Sequence, residues 1–152
     1  MRRKSKMALT VENLVMLDVE CATKEEVIKM MAKKVADEGI AESYEEYLDS
    51  LMKREEIAAT AVGYDVGLPH GKSTTVKRAA VAFARLKNPV LWSADEDEYA
   101  KMVFMLAIPD GEKGTTHINI LVDLSKKILD DDFRAGLEKA ATAEEAVKLI
   151  NE

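Results

Sequence analysis

The sequence predicts a layered α/β or α+β domain, a sheet with helices packed over its faces. Three observations point there. Helix-capping patterns and helical apolar stripes fill the first and last thirds of the chain. Short, β-branched or continuously apolar segments fill the middle. The chain also has 152 residues, 47% of them hydrophobic and 33% charged. That is one domain's length, 1–152, with material to bury roughly 70% of the surface its unfolded form exposes.

The elements follow in order. Residues 1–7 read as a flexible tail, basic at Arg2, Arg3, Lys4 and Lys6. Glu12 and Asn13 interrupt the apolar run that a signal peptide would need after such a start. Asn13 to Val19 is expected to open the domain as a strand. Thr23 and Glu26 form a capping box, Val27, Met31 and Val35 a helical stripe, and Gly39 the stop. Ser43 and Glu46 repeat the box, and Tyr44, Tyr47, Leu48 and Leu51 give a second helix one face, with an end near Lys53 to Glu55. Ile57 to Val62, Ala79 to Leu86 and Met102 to Ile108 are expected as buried strands. Helices return at about 116–129 and 131–140, and a last one starts at the box Thr142 with Glu145.

Charge and composition narrow the function classes. With 22 basic against 28 acidic residues the formal net charge is −6, which argues against a nucleic-acid partner. Cys21 is the only cysteine, so no internal disulfide can form and a reducing compartment fits. The longest apolar runs fall far short of the ~20 residues of a membrane span. Cytoplasm is the predicted location.

Chemistry concentrates at two histidines, because no HExxH, Walker or dinucleotide pattern is present. His70 stands in Val66-Gly67-Leu68-Pro69-His70-Gly71. Pro69 lacks an amide donor, so a strand through Leu68 should end there. Gly71 is expected to turn the chain sharply and let an anion or a partner approach the backbone. Taken alone, Pro-His-Gly is equally readable as a structural turn. His117 opens a predicted helix and shares the inward face of Ile120, Leu121 and Leu124, at a helix N-terminus that welcomes anions. Alone, it reads equally as a half-buried packing residue. Arg54 ends the second helix, where a guanidinium either pairs with a neighbouring carboxylate or grips phosphate with two parallel bonds. Lys72, Ser73, Thr74 and Thr75 offer donors to an anion, or form a plain polar loop. The acidic run Asp95 to Glu98 reads as a solvated loop.

Together these residues resemble the fructose/mannitol-type IIA domains of the phosphoenolpyruvate-dependent sugar phosphotransferase system, a family that includes the nitrogen-regulatory IIA proteins. The resemblance runs from about Leu9 onward. It rests on Lys24-Glu25-Glu26, Arg54-Glu55-Glu56, Gly63-x-x-Val66-x-Leu68-Pro69-His70-Gly71, Pro89 to Trp92, Val103 to Pro109 and His117-Ile118-x-Ile120-Leu121, in the family's order and spacing. It implies a mixed, mainly parallel sheet of about five strands with helices on both faces. It implies that His70 is phosphorylated, on Nε2, with His117 and Arg54 as partners and Pro69, Gly71 and Ser73 shaping the phosphoryl site. No metal, nucleotide or other cofactor is implied. The donor would be the phosphocarrier protein HPr and the acceptor a IIB domain, which serves a membrane IIC permease. The Trp92 segment leans towards the fructose subgroup. One departure is Gly67, where the family usually has alanine; the lost methyl is expected to loosen the turn. Two further readings stand beside sugar uptake: a regulator that signals through its phosphorylation state, and a metal-dependent hydrolase built on His70, His117 and an acid. The sugar itself is not named by these residues.

Overall fold

The computed structural model describes residues 8–111 and 116–152. The expected basic tail, residues 1–7, lies outside the described residues. A 3-10 turn, Glu12–Leu14, leads into strand β1, Val15–Val19, so the opening strand starts two residues later than expected. Helix α1 spans Lys24–Asp37 and helix α2 spans Tyr44–Ile57. Strands β2, Val66–Gly67, β3, His70–Ser73, β4, Ala80–Ser93, and β5, Glu98–Pro109, make up the middle. Helices α3, Thr116–Leu129, α4, Asp131–Lys139, and α5, Ala143–Asn151, close the chain.

The helix starts are set locally. Thr23, Ser43 and Thr142 each accept a bond at 3.2 Å from the backbone N–H three residues on. Glu26 and Glu145 reach back to the N–H groups of Ala22 and Ala141, both at 2.8 Å. These two boxes therefore close one residue ahead of the cap, and satisfy donors that a helix start leaves open. Gly39 ends α1 with φ +78°, the left-handed stop the sequence predicts.

The sheet has five strands in the order β1-β4-β5-β2, with β3 also on β5. β1 with β4, β2 with β5 and β3 with β5 are parallel; only the β4–β5 hairpin is antiparallel. The fold is thus a mixed, mostly parallel α/β sheet, as the family resemblance implies. Residues 94–97 form the hairpin's turn, and Glu98 opens β5. On one face α1 and α2 bury Val27, Ile28, Met31, Tyr47 and Leu51 against Ala82, Val103 and Ala107. On the other, Leu124, Ile128, Phe133, Leu137 and Ile150 of α3 to α5 cover Phe83, Phe104 and Leu106.

Two expectations about the middle are overturned. Ile57 to Val62 is not a strand: α2 runs on to Ile57, which is 80% exposed, and only Ala61 makes an isolated bridge, to Gly67. Local pattern cannot separate a short apolar run in a helix end from a strand. His70 and Gly71 are not in a turn but in β3. The break falls just before them, because the Leu68 N–H turns away to the Thr60 carbonyl at 2.8 Å and Pro69 has no N–H to give. The Pro69 carbonyl then accepts from Leu106 N–H at 2.9 Å and pairing with β5 resumes.

Candidate functional site

Strand alternation decides where β3 points. His70 pairs with Leu106, which belongs to the core under α3 to α5, and Gly71 pairs with Ala107, which belongs to the core under α1 and α2. His70 and Lys72 therefore take one face of the sheet, Gly71 and Ser73 the other. His70 is half-buried on the strand at the sheet's edge.

Gly71 has a reason that differs from the turn expected of it. A Cβ there would stand 2.3 Å from Ser50 Oγ and 3.2 Å from two Leu51 side-chain carbons. Only glycine lets α2 lie this close to β3, and the approach brings Arg54, one turn beyond Ser50, to the strand carrying His70. Nearby, Tyr47 is fully buried and its hydroxyl donates to the Leu106 carbonyl at 3.1 Å. Burial pushes that phenol well above its ordinary range, so it stays neutral.

Ser50, Arg54, His70, Lys72, Ser73 and Asp110 line one cleft of about 540 Å³. The His70 Nδ1 lies 3.0 Å from the Leu68 carbonyl oxygen. A carbonyl can only accept, so this bond requires the proton on Nδ1, and in the neutral ring the lone pair is then on Nε2. Among the described residues Arg54 pairs with no carboxylate; its Nη1 donates to the Ala58 carbonyl at 2.7 Å. Ser73 Oγ accepts from Thr75 N–H at 3.3 Å and donates to none of the described groups. Lys53 and Lys72 add positive charge to the cleft, Glu46, Asp49 and Asp110 negative.

His117 lies in the first turn of α3, on the same sheet face as His70, but its side chain lies outside the described residues. Sequence reasoning missed Ser50 and Asp49, whose place in the cleft depends on the α2–β3 contact. It also missed the contact between Thr60 and Trp92, next to Leu68. Trp92 Nε1 donates to Thr60 Oγ1 at 3.1 Å, and neither residue carries a short-range signal of that contact. Among the described residues no helix is long and apolar enough to cross a membrane.

His70, its Nδ1 bonded to a backbone carbonyl, and Arg54 thus line one open cleft at the sheet edge of a mostly parallel α/β domain. Residues 8–152 match the family described as "Phosphoenolpyruvate-dependent sugar phosphotransferase system, EIIA 2", and the chain belongs to that family. It is 34% identical over 145 residues to the 2-O-alpha-mannosyl-D-glycerate-specific EIIABC component of Escherichia coli, covering 95% of this chain and 22% of that protein. It is 33% identical over 144 residues to the fructose-specific EIIA component of Haloferax volcanii, covering 95% of this chain and 93% of the relative. Some curated relatives are thus several times longer than this chain. Among solved structures, the nitrogen regulatory protein IIA-Ntr of Neisseria meningitidis superposes with a TM-score of 0.85 at 25% identity, covering 93% of this chain and 96% of that one. The complex of IIA mannitol with phosphorylated IIB mannitol of Escherichia coli matches with a TM-score of 0.78 at 26% identity, covering 93% and 96%.

Proposed function

We propose that this domain is a phosphoryl carrier of a sugar phosphotransferase system, working in the cytoplasm, which accepts its group from HPr on His70 Nε2 and hands it to a IIB domain. The bond from phosphorus to the donor breaks as the Nε2 lone pair forms the new one, and the reverse occurs at the acceptor. Such transfers pass through a loose transition state in which the protein mostly positions groups and offsets charge. Arg54 supplies planar donors to the phosphoryl oxygens, exchanging or sharing its bond to Ala58. His117 and the start of α3 add donors and positive potential. Ser73 adds a hydroxyl, Gly71 admits α2, and Pro69 holds the entry to β3.

The observation that carries this reading is the Nδ1 anchor on Leu68, which leaves Nε2 as the nucleophile in the cleft that Arg54 lines. The test is incubation with phosphoenolpyruvate, enzyme I and HPr, followed by intact-mass analysis. One phosphoryl adduct is expected, labile in acid, stable in base, and absent in His70→Ala. An adduct that persists in His70→Ala refutes the assignment.

A second reading is favoured by the likeness to IIA-Ntr: the same chemistry serving as a signal rather than feeding sugar uptake. A partner captured by only one phosphorylation state supports signalling. Transfer to a IIB domain encoded beside a permease supports transport.

A further inference from the structure

Leu68, whose carbonyl anchors His70, is tied through its N–H to a buried polar cluster. Leu68 N–H donates to the Thr60 carbonyl at 2.8 Å. Thr60 is in turn gripped twice by Glu55: its N–H donates to Oε1 at 3.1 Å and its hydroxyl donates to Oε2. With its proton committed to Glu55, the Thr60 hydroxyl accepts from Trp92 Nε1. Lys24 closes the cluster, with Nζ 2.6 Å from Glu55 Oε1 and 2.9 Å from the Trp92 carbonyl. The Glu55 side chain is 8% exposed and Thr60 5%.

A buried ion pair contributes little net stability, because desolvation cancels most of its attraction; what it fixes is geometry. Here the geometry runs to His70. The short segment from Ala58 to Thr60 is clamped from α2 at both ends, by Arg54 on the Ala58 carbonyl and by Glu55 on Thr60. Thr60 then sets the height of Leu68, and Pro69 restricts how Leu68 can rotate.

We propose that Glu55 and Thr60 are positioning residues that, through the Leu68 carbonyl, hold the His70 ring in its Nδ1–H form and so keep Nε2 free. The inference rests on the phosphoryl-carrier reading for its consequence, though not for its geometry. Which ring nitrogen carries the proton is set by the bond the other makes, and small displacements of a supporting group propagate to the reacting atom.

The test uses the full, unphosphorylated chain. Nitrogen NMR of the His70 ring is recorded for the wild type, Thr60→Ser, Thr60→Val and Glu55→Gln, with circular dichroism to establish folding. Uptake from phosphorylated HPr is then timed for each. Wild type and Thr60→Ser are expected to hold the proton on Nδ1. Thr60→Val and Glu55→Gln are expected to populate the Nε2–H form and to take up phosphate roughly ten-fold more slowly. Folded Thr60→Val and Glu55→Gln with the wild-type ring form and rate overturn the proposal. So does a wild-type ring protonated on Nε2, whether or not any variant folds. A wild-type protein with the expected ring form that takes no phosphate counts against the carrier reading and leaves the positioning role supported.

Discussion

The indole of Trp92 occupies the space that a side chain at residue 67 would need: a Cβ on Gly67 would stand 2.7 Å from Trp92 Cε2 and 3.0 Å from Cδ2 and Cζ2. The glycine is therefore not a loosened version of the family's alanine. It is the partner of a ring that is 2% exposed and hydrogen-bonded to Thr60. Gly67→Ala is expected to cost about 1–3 kcal/mol, the usual penalty for overpacking. The same change in a Trp92→Phe background should cost less. Urea unfolding of the four proteins gives the coupling; simple additivity would show that the two positions do not share this space.

Gly71 and Ser50 make a second such pair. Gly71→Ala should destabilise the domain by roughly 2 kcal/mol and slow phosphoryl uptake, since it pushes α2 and Arg54 away from β3. Ser50→Ala removes the nearest atom of the clash but leaves the Leu51 contacts at 3.2 Å. Partial recovery of melting temperature is therefore expected in the double variant. No recovery would place the strain elsewhere.

Tyr47 predicts a pH dependence. Its phenol is raised in the folded protein by burial, while the unfolded chain ionises near pH 10. The contribution is therefore fully present below about pH 10. Above that the unfolded chain releases a proton that the folded one keeps, and stability falls by up to about 1.4 kcal/mol per pH unit from this group. Tyr47→Phe should remove that part of the slope. It should also lose about 1 kcal/mol at neutral pH through the bond to Leu106. Parallel slopes for the two proteins would show that Tyr47 ionises while folded.

For transfer itself, Arg54→Lys should slow uptake roughly ten- to hundred-fold, because a point charge cannot replace a planar fork. His117→Ala should still accept phosphate but pass it to a IIB domain slowly. Quenched-flow transfer rates decide both, and an unchanged rate in His117→Ala removes that residue from the mechanism.

What the sequence makes legible here is what is encoded within a few residues. Thr23 with Glu26, Ser43 with Glu46, Thr142 with Glu145 and the stop at Gly39 lie where their patterns place them, because a cap and its partner are neighbours in the chain. The apolar hairpin strands are legible for the same reason, although β4 extends to Ser93 and β5 starts at Glu98. β3 is not legible. Its four residues, His70 to Ser73, have no strand-like composition, and they are extended because β5 and α2 require it. Gly71 shows the limit most clearly: the residue signals a special backbone position, but only the packed α2 shows that the need is for close approach and not for a turn. Pro69 was the more reliable sign, since a missing N–H acts at its own position. Arg54, His70 and Ser73 line one cleft, and the Glu55–Thr60–Trp92 cluster joins three segments that no local pattern connects.

Trp92 is the chain's only tryptophan, and its Nε1 ends on the hydroxyl of Thr60, the residue whose carbonyl takes the Leu68 N–H. The domain thus carries an intrinsic fluorophore linked through Thr60 and Leu68 to His70. Emission from that single ring is expected to shift with changes at Thr60 and Leu68, in unlabelled protein, with no other indole to blur the signal.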